Sequence, residues 1–201
     1  MKRILVIGGT GTIGKKVVKS FSESHEVIVA GRNSGDVTVD ISSAASIEKL
    51  YQKVGKLDAI VNIAGDAKWD AFSNLSEDDF YIGIKSKMMG QVNLVRLGLP
   101  YLNEHGSITL TTGILADEPV DMTTSAAMVN GAIQSFTKAV ALEMENGIRV
   151  NCVSADLVED AYEKYKEYFP GNTPVPMHKV TNAYLKCVLG KNNGEIIKVR
   201  A

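Results

Sequence analysis

Apolar positions along this chain follow two rhythms that alternate from end to end. Ile4-Leu5-Val6-Ile7 is a short unbroken run, the pattern of a parallel strand covered on both faces. Strands are predicted again at Val27–Ala30, Val37–Val39, Leu57–Asn62, Ser107–Thr111, Ile148–Val153 and Glu195–Val199. Between them, three- and four-residue spacing marks helices. These fall at Lys15–Phe21, at Ser43–Val54 with Ile47, Leu50, Tyr51 and Val54 on one stripe, at Ser125–Met144 and at Lys179–Leu189. A further helix starts at Ser76-Glu-Asp-Asp79, where a hydroxyl cap and early acids satisfy the free amides and the helix dipole. It runs with a break or two to about Leu102. Strand and helix in strict alternation predict an α/β fold with a doubly wound parallel sheet of about seven strands and right-handed crossovers.

With 201 residues and 45% hydrophobic content, the chain can bury one good core, so a single domain over 1–201 is expected. A net charge of −1 without a basic tract argues against nucleic acid or an anionic membrane surface as partners. No apolar run reaches the length of a membrane span. Met1-Lys2-Arg3 leads straight into the first strand, so no secretory leader is expected. Cys152 and Cys187 show no metal-ligand spacing and are expected as buried reduced thiols of a cytoplasmic protein, with no metal site.

The first candidate chemistry follows the first strand. Gly8, Gly11 and Gly14 lie between strand and helix. Gly8 permits the tight turn, Gly11 lets a pyrophosphate approach the backbone, and Gly14 lets the helix pack closely on the strand. The first helical amides then face a phosphate, which makes this a Rossmann-type dinucleotide turn. Thr10, Thr12 and Ile13 complete the loop as candidate cofactor contacts. The alternative is a glycine-rich turn that packs tightly and binds nothing. Strand two ends in Ala30-Gly31-Arg32-Asn33, where an NAD site usually places an acid for the ribose hydroxyls. Arg32 can instead fork onto a 2′-phosphate, which points to NADP(H) over NAD(H). After strand three, Asp40-Ile41 is placed to line an adenine, although Asp40 can equally cap the next helix.

Gly8…Gly11…Gly14, Asp40-Ile41, Leu57-Asp58…Val61-Asn62-Ile63-Ala64-Gly65 and Gly147-Ile148-Arg149-Val150-Asn151 occur in the order seen in short-chain dehydrogenases/reductases, and the chain resembles that family over essentially its whole length. Asn62-Ile63-Ala64-Gly65 looks like the family's Asn-Asn-Ala-Gly motif, which implies that Asn62, Ala64 and Gly65 support the sheet and border the adenine ribose. Thr12 stands where the standard glycine turn has a glycine, a spacing closer to atypical branches. The resemblance also implies a substrate-lid segment at about 155–178, here much shorter than usual. It implies a homodimer or homotetramer built on the helices Asp79–Leu102 and Ser125–Met144, with Met88, Met89, Met128 and Val129 as candidate contacts.

Members of the family reduce carbonyls or oxidise alcohols with an asparagine, a serine, a tyrosine and a lysine. The phenol passes the proton that the developing alkoxide needs, and the lysine lowers the phenol's pKa and holds the nicotinamide ribose. Counting back from Ala141-Leu142-Glu143 puts the tyrosine on Ala126 and the lysine on Asn130. Counting forward from Gly106-Ser107-Ile108 puts the serine on Gly113, and counting from Gly90 and Pro100 puts the asparagine on Lys87. All four family residues are absent. The positions after strand six, where relatives carry Pro-Gly and a threonine that grips the nicotinamide, read Ala155-Asp156 and Asp160.

Substitutes are few. Thr111, Thr112, Thr123, Thr124 and Ser125 lie near the serine and tyrosine positions but read as strand-end hydrogen bonds and helix caps. Asp117 and Glu118 are the acids nearby. His25, His105 and His178 sit near element ends without clustering, and Tyr162, Tyr165 and Phe169 read as packing. The expectation is an NADP(H)-binding protein of this family in which ordinary carbonyl or alcohol turnover is doubtful. The alternative is a divergent NADP-dependent oxidoreductase using substitute residues on an unknown substrate. Lys87 and Asn130 exchange the family's asparagine and lysine, which would keep one positive charge beside the nicotinamide ribose; the alternative is that both positions drifted once catalysis was lost.

Overall fold

In the computed structural model, which describes residues 1–201, the first apolar run forms β1 (Arg3–Ile7), buried from Ile4 to Ile7. It pairs in parallel with β2 (Glu26–Gly31) on one side and with β4 (Leu57–Asn62) on the other, Ile7 lying between Ala30 and Asn62. The two-residue β3 (Val37–Thr38) extends the sheet beyond β2. On the far side follow β5 (Leu102–Gly113), β6 (Arg149–Ala155) and β7 (Ile196–Val199), giving the parallel order β3-β2-β1-β4-β5-β6-β7. The chain winds outward from β1 to β3 and then returns to β4 on β1's other side. A crevice therefore opens beyond the carboxyl ends of β1 and β4.

Strand side chains alternate between two apolar layers, which is why β1 carries no polar residue in its interior. Leu5 and Ile7 pack with Ile47, Leu50, Tyr51 and Val54 of α2 (Ala44–Val54), Leu94 and Val95 of α4 (Met89–Gly98) and Ile133 of α5 (Thr124–Ala141). Ile4 and Val6 face the other layer, with Val17 and Phe21 of α1 (Thr12–Ser22) and Val180, Ala183, Tyr184 and Val188 of α7 (Met177–Leu189). Each fully buried Leu, Ile or Phe contributes roughly 1.5–3 kcal/mol relative to exposure. Tyr51 enters the core with its hydroxyl donating to the Leu94 carbonyl at 2.7 Å. Gly98 leaves it room, since a Cβ there would stand 2.7 Å from that hydroxyl.

The helix that begins at Ser76 has the expected start: α3 (Glu77–Gly83) carries a capping box between Ser76 and Asp79. Its interruption is a π turn over Ile84–Met88 that leads into α4. Other bounds shift. α1 begins at Thr12, three residues before the periodicity does, because the small residues of the glycine turn already hold helical geometry. β5 starts at Leu102, so the polar Asn103-Glu104-His105 lies within the strand as an exposed irregularity, with the register shifting between Leu57 and Ala59 and His105 at φ 59°. The segment 155–178 contains only short helical pieces, among them α6 (Tyr162–Tyr165), and is tied down by a bridge between Val158 and Val175.

Cys152 and Cys187 are free and buried, and burial pushes the Cys187 thiol up to about 12. No helix is long and apolar enough to cross a membrane. Two of the four expected subunit contacts turn inward. Val129 is fully buried, and Gly83 packs so closely on it that a Cβ there would meet its Cγ1 at 3.2 Å. Met88 packs against the main core. Met89 and Met128 remain exposed.

Candidate functional site

The glycine turn is built by contact between two loops. Gly8, at φ 81°, lies so close to the loop after β4 that a Cβ would stand 2.8 Å from the Ala64 nitrogen. A Cβ on Gly14 would meet the Gly8 carbonyl oxygen at 2.1 Å, so the first turn of α1 presses directly on the end of β1. Gly11 is different: its Cβ would touch only the Gly8 oxygen, at 3.4 Å, because its other side faces the crevice. Gly11 is also the N-cap of α1, and no side chain caps that end, which leaves the first amides of Thr12 and Ile13 without an intrahelical partner. An uncapped helix start above a glycine cradle is a place for a phosphate.

The crevice holds about 470 Å³. Gly8, Thr10, Gly11, Arg32, Ile41, Ala64 and Gly65 line it with Gly31, Asn33 and Ile63 of the same motifs, as do Val39, Asp66 and Ser86, which the sequence did not single out as site residues. Thr12, Ile13 and Gly14 stand behind the turn rather than in the wall. Asn62 is fully buried and acts from behind as well, its Nδ2 donating to the Ala64 carbonyl at 2.8 Å while Ile63 donates its amide to Ile7. Asp40 neither lines the crevice nor caps α2, whose N-cap is Ser43. Its carboxylate accepts from the Ser42 hydroxyl and amide, which holds its pKa below the usual carboxylate range. At 3.7 Å it also approaches Arg32, a largely exposed guanidinium at the crevice edge. Gly31 is explained by the turn itself, since a Cβ would fall 2.7 Å from the Ser34 carbonyl oxygen.

A second cavity of about 490 Å³ shares Gly65 and Asp66 with the first. Lys87, Ala126 and Asn130, assigned to three family positions by counting alone, all line it. The fourth, Gly113, adjoins them: a Cβ there would stand 3.7 Å from Asn130 Nδ2. Lys87 comes from the π turn and makes no ion pair. Burial holds its ammonium below the ordinary lysine range, partly offset by Asp66. Asn130 is 3% exposed, and its Oδ1 has no partner. Ala126 is buried beside Leu115, Leu157 and Phe169. Trp69, Tyr165 and Tyr168 line the cavity too, along with Ala67, Lys68 and Leu115. Phe169 packs as expected, whereas Tyr165 also faces the cavity. Trp69 and Asp66 were missed, and their signal is position: they continue the loop that leaves the carboxyl end of β4.

Three of the nearby hydroxyls are committed elsewhere, while the buried Ser125 Oγ has no partner. Thr111 donates to the Asn62 carbonyl and shares a hydrogen bond with Tyr184 at 2.8 Å, Thr112 donates to the Asn130 carbonyl, and Thr123 to the Val120 carbonyl. Thr123 is the N-cap of α5 but makes no side-chain cap bond. Asp117 is bound by Lys198 at 2.8 Å and Arg200 at 3.0 Å. Asp160 lies 3.6 Å from Lys16 of α1, and Asp156 accepts from the Leu157 amide.

Residues 5–174 match the family model described as enoyl-(acyl carrier protein) reductase. L-fucose dehydrogenase from Bos taurus is 25% identical over 213 residues, covering 94% of this chain and 77% of that protein. The oxidoreductase UcpA from Escherichia coli is 27% identical over 177 residues, covering 76% and 67%. The structure of the protein lin1944 from Listeria innocua superposes with a TM-score of 0.97 at 46% identity, over 99% of this chain and all of that one. A small-chain dehydrogenase in complex with NADPH superposes with a TM-score of 0.87 at 30% identity, over 98% and 96%.

Proposed function

Because this chain belongs to the short-chain dehydrogenase/reductase family, we propose that it binds NADP(H), in preference to NAD(H), along the crevice beyond β1 and β4. The observation that carries this reading is the pairing of an uncapped glycine turn with Arg32 on the opposite edge of one cleft. The amides at the start of α1 would hold the pyrophosphate, Ile41 and Val39 the adenine, and Arg32 the 2′-phosphate through charge-assisted hydrogen bonds. A 30%-identical small-chain dehydrogenase whose structure is in complex with NADPH supports it. The nicotinamide end supplies or accepts a hydride when bound.

The protein side of that chemistry has lost its proton route. Ala126 and Gly113 offer no hydroxyl, Asn130 carries no charge, Thr111, Thr112, Thr123 and Asp117 are engaged, and the unpartnered Ser125 is an aliphatic alcohol too weakly acidic to serve as a phenol does. A missing general acid lowers rates by about 10²–10⁴, so simple aldehydes, ketones and secondary alcohols are expected to give no measurable turnover. The second reading, a divergent oxidoreductase, is favoured by one observation: the Lys87 ammonium stands in the cavity with a lowered pKa and can donate a proton. The free thiols support a cytoplasmic location. Soaking crystals with NADP⁺ tests the cofactor reading. Phosphates on the first turn of α1 and on Arg32 are expected, and density elsewhere or none contradicts it. An NADPH-dependent carbonyl turnover that disappears in Lys87→Met would select the second reading.

A further inference from the structure

The two cavities meet at Gly65 and Asp66, and the second has a wall chemistry that the dinucleotide does not account for. Lys87 brings a cation into it with no carboxylate within 4 Å, and Asp66 is the only acid on the lining. Lys68, the other lining cation, is turned to Asp70 at 4.0 Å. A partly buried ammonium of this kind is stabilised by a counter-charge, which an anionic ligand in the cavity would supply. Asn130 adds an independent observation, because it is 3% exposed, lines the same space, and leaves its Oδ1 without a donor.

Aromatic rings form much of the rest of the wall. Trp69 lies 5.5 Å from Tyr165 and 5.7 Å from Tyr168, centroid to centroid, as the middle ring of an aromatic bank. Ala126 adds a small side chain to the same lining. We propose that this cavity binds a small organic monocarboxylate with a flat apolar body, its charge held by Lys87 and a donor group on it received by Asn130. One ammonium without an arginine suits a monoanion better than a phosphate. The proposal rests on the cofactor reading above, since it places this ligand beside the nicotinamide end of the dinucleotide cleft. Lys87 then selects the ligand by charge, from the position where relatives carry an uncharged asparagine.

Trp69 is the sole tryptophan of the chain, so its fluorescence reports on this cavity alone. The experiment titrates benzoate, and its neutral isostere benzamide, into protein saturated with NADP⁺ at constant ionic strength. NADP⁺ affinity is measured separately by calorimetry. Benzoate is expected to change Trp69 emission saturably, with benzamide weaker by about tenfold or more. Lys87→Met should weaken benzoate by a similar factor, and Lys87→Arg, which keeps the charge, should retain most of it. No saturable benzoate response, equal responses to benzoate and benzamide, or indifference to Lys87→Met would overturn the proposal. The wild-type comparison of the two probes stands even where a variant fails to fold. NADP⁺ binding without a benzoate response overturns this inference and leaves the cofactor reading in place. A benzoate response without NADP⁺ binding keeps the cavity assignment and overturns the cofactor reading.

Discussion

Lys87 is the residue whose replacement separates stability from function. Its folded pKa is depressed by burial, so between that value and the ordinary lysine value of 10.5 the unfolded chain binds more protons and stability rises with pH. Below that window the native state carries a poorly solvated cation. Lys87→Met should therefore raise the unfolding midpoint at pH 7, by about 2–4 °C for each kcal/mol relieved, with the gain shrinking as pH climbs through the window. Thermal melts followed by circular dichroism check this, and a lower midpoint for the variant contradicts it. The glycines divide in the same way. Gly14→Ala forces a methyl onto the Gly8 carbonyl, 2.1 Å away, and should cost about 1–3 kcal/mol. Gly11→Ala finds its nearest atom at 3.4 Å, so it should fold normally and lose NADP⁺ affinity because the methyl enters the crevice. The structural roles of Gly8 and Gly14 were legible from spacing. Those of Asp40 and Asn62 were not: a sequence shows that a polar residue lies near a strand end, but not whether it faces the ligand or holds a loop from behind.

Among the elements, those with a strong local rule were readable and those shaped by contacts were not. The Ser76–Asp79 capping box and the α2 stripe of Ile47, Leu50, Tyr51 and Val54 stand as expected, because each needs only neighbouring residues. The π turn at Ile84–Met88 was legible only as a break, since its position depends on Gly65 packing against Lys87, where a Cβ would meet Lys87 Cγ at 3.0 Å. The clasp between the loop after β5 and the end of β7 was not legible, since Asp117, Lys198 and Arg200 are distant in sequence. The hydrogen bond from Lys198 holds the Asp117 carboxyl below its usual value. A depressed carboxylate contributes stability above the unfolded pKa of 3.8 that is lost as pH falls through the folded value. Asp117→Asn should thus lower stability at pH 7 by about 0.5–1 kcal/mol, a modest figure because the cations are partly exposed. Denaturant titrations at pH 7 and pH 3 check it: the gap between wild type and variant should narrow at the lower pH, and a constant gap contradicts the clasp.

For the whole molecule, alternation of strand and helix was enough to give the sheet and the place of the crevice, because topology in this class leaves few choices. Assembly is the property that depends on surfaces. Tyr81, Ile82 and Met89 on the α3–α4 face and Met128 on α5 are all more than a third exposed. We expect a homodimer or homotetramer through that face, with Met128→Glu shifting the mass toward the monomer. Light scattering at micromolar concentration checks this, and a monomeric wild type contradicts it. The central claim, that the crevice is an NADP(H) site chosen by Arg32, is tested most directly by calorimetric titration of NADP⁺ and NAD⁺ into wild type and Arg32→Ala. The account predicts that wild type prefers NADP⁺ by about tenfold or more, and that Arg32→Ala lowers NADP⁺ affinity to that of NAD⁺ while leaving NAD⁺ unchanged. Equal affinities in wild type, or a preference that survives Arg32→Ala, would contradict it.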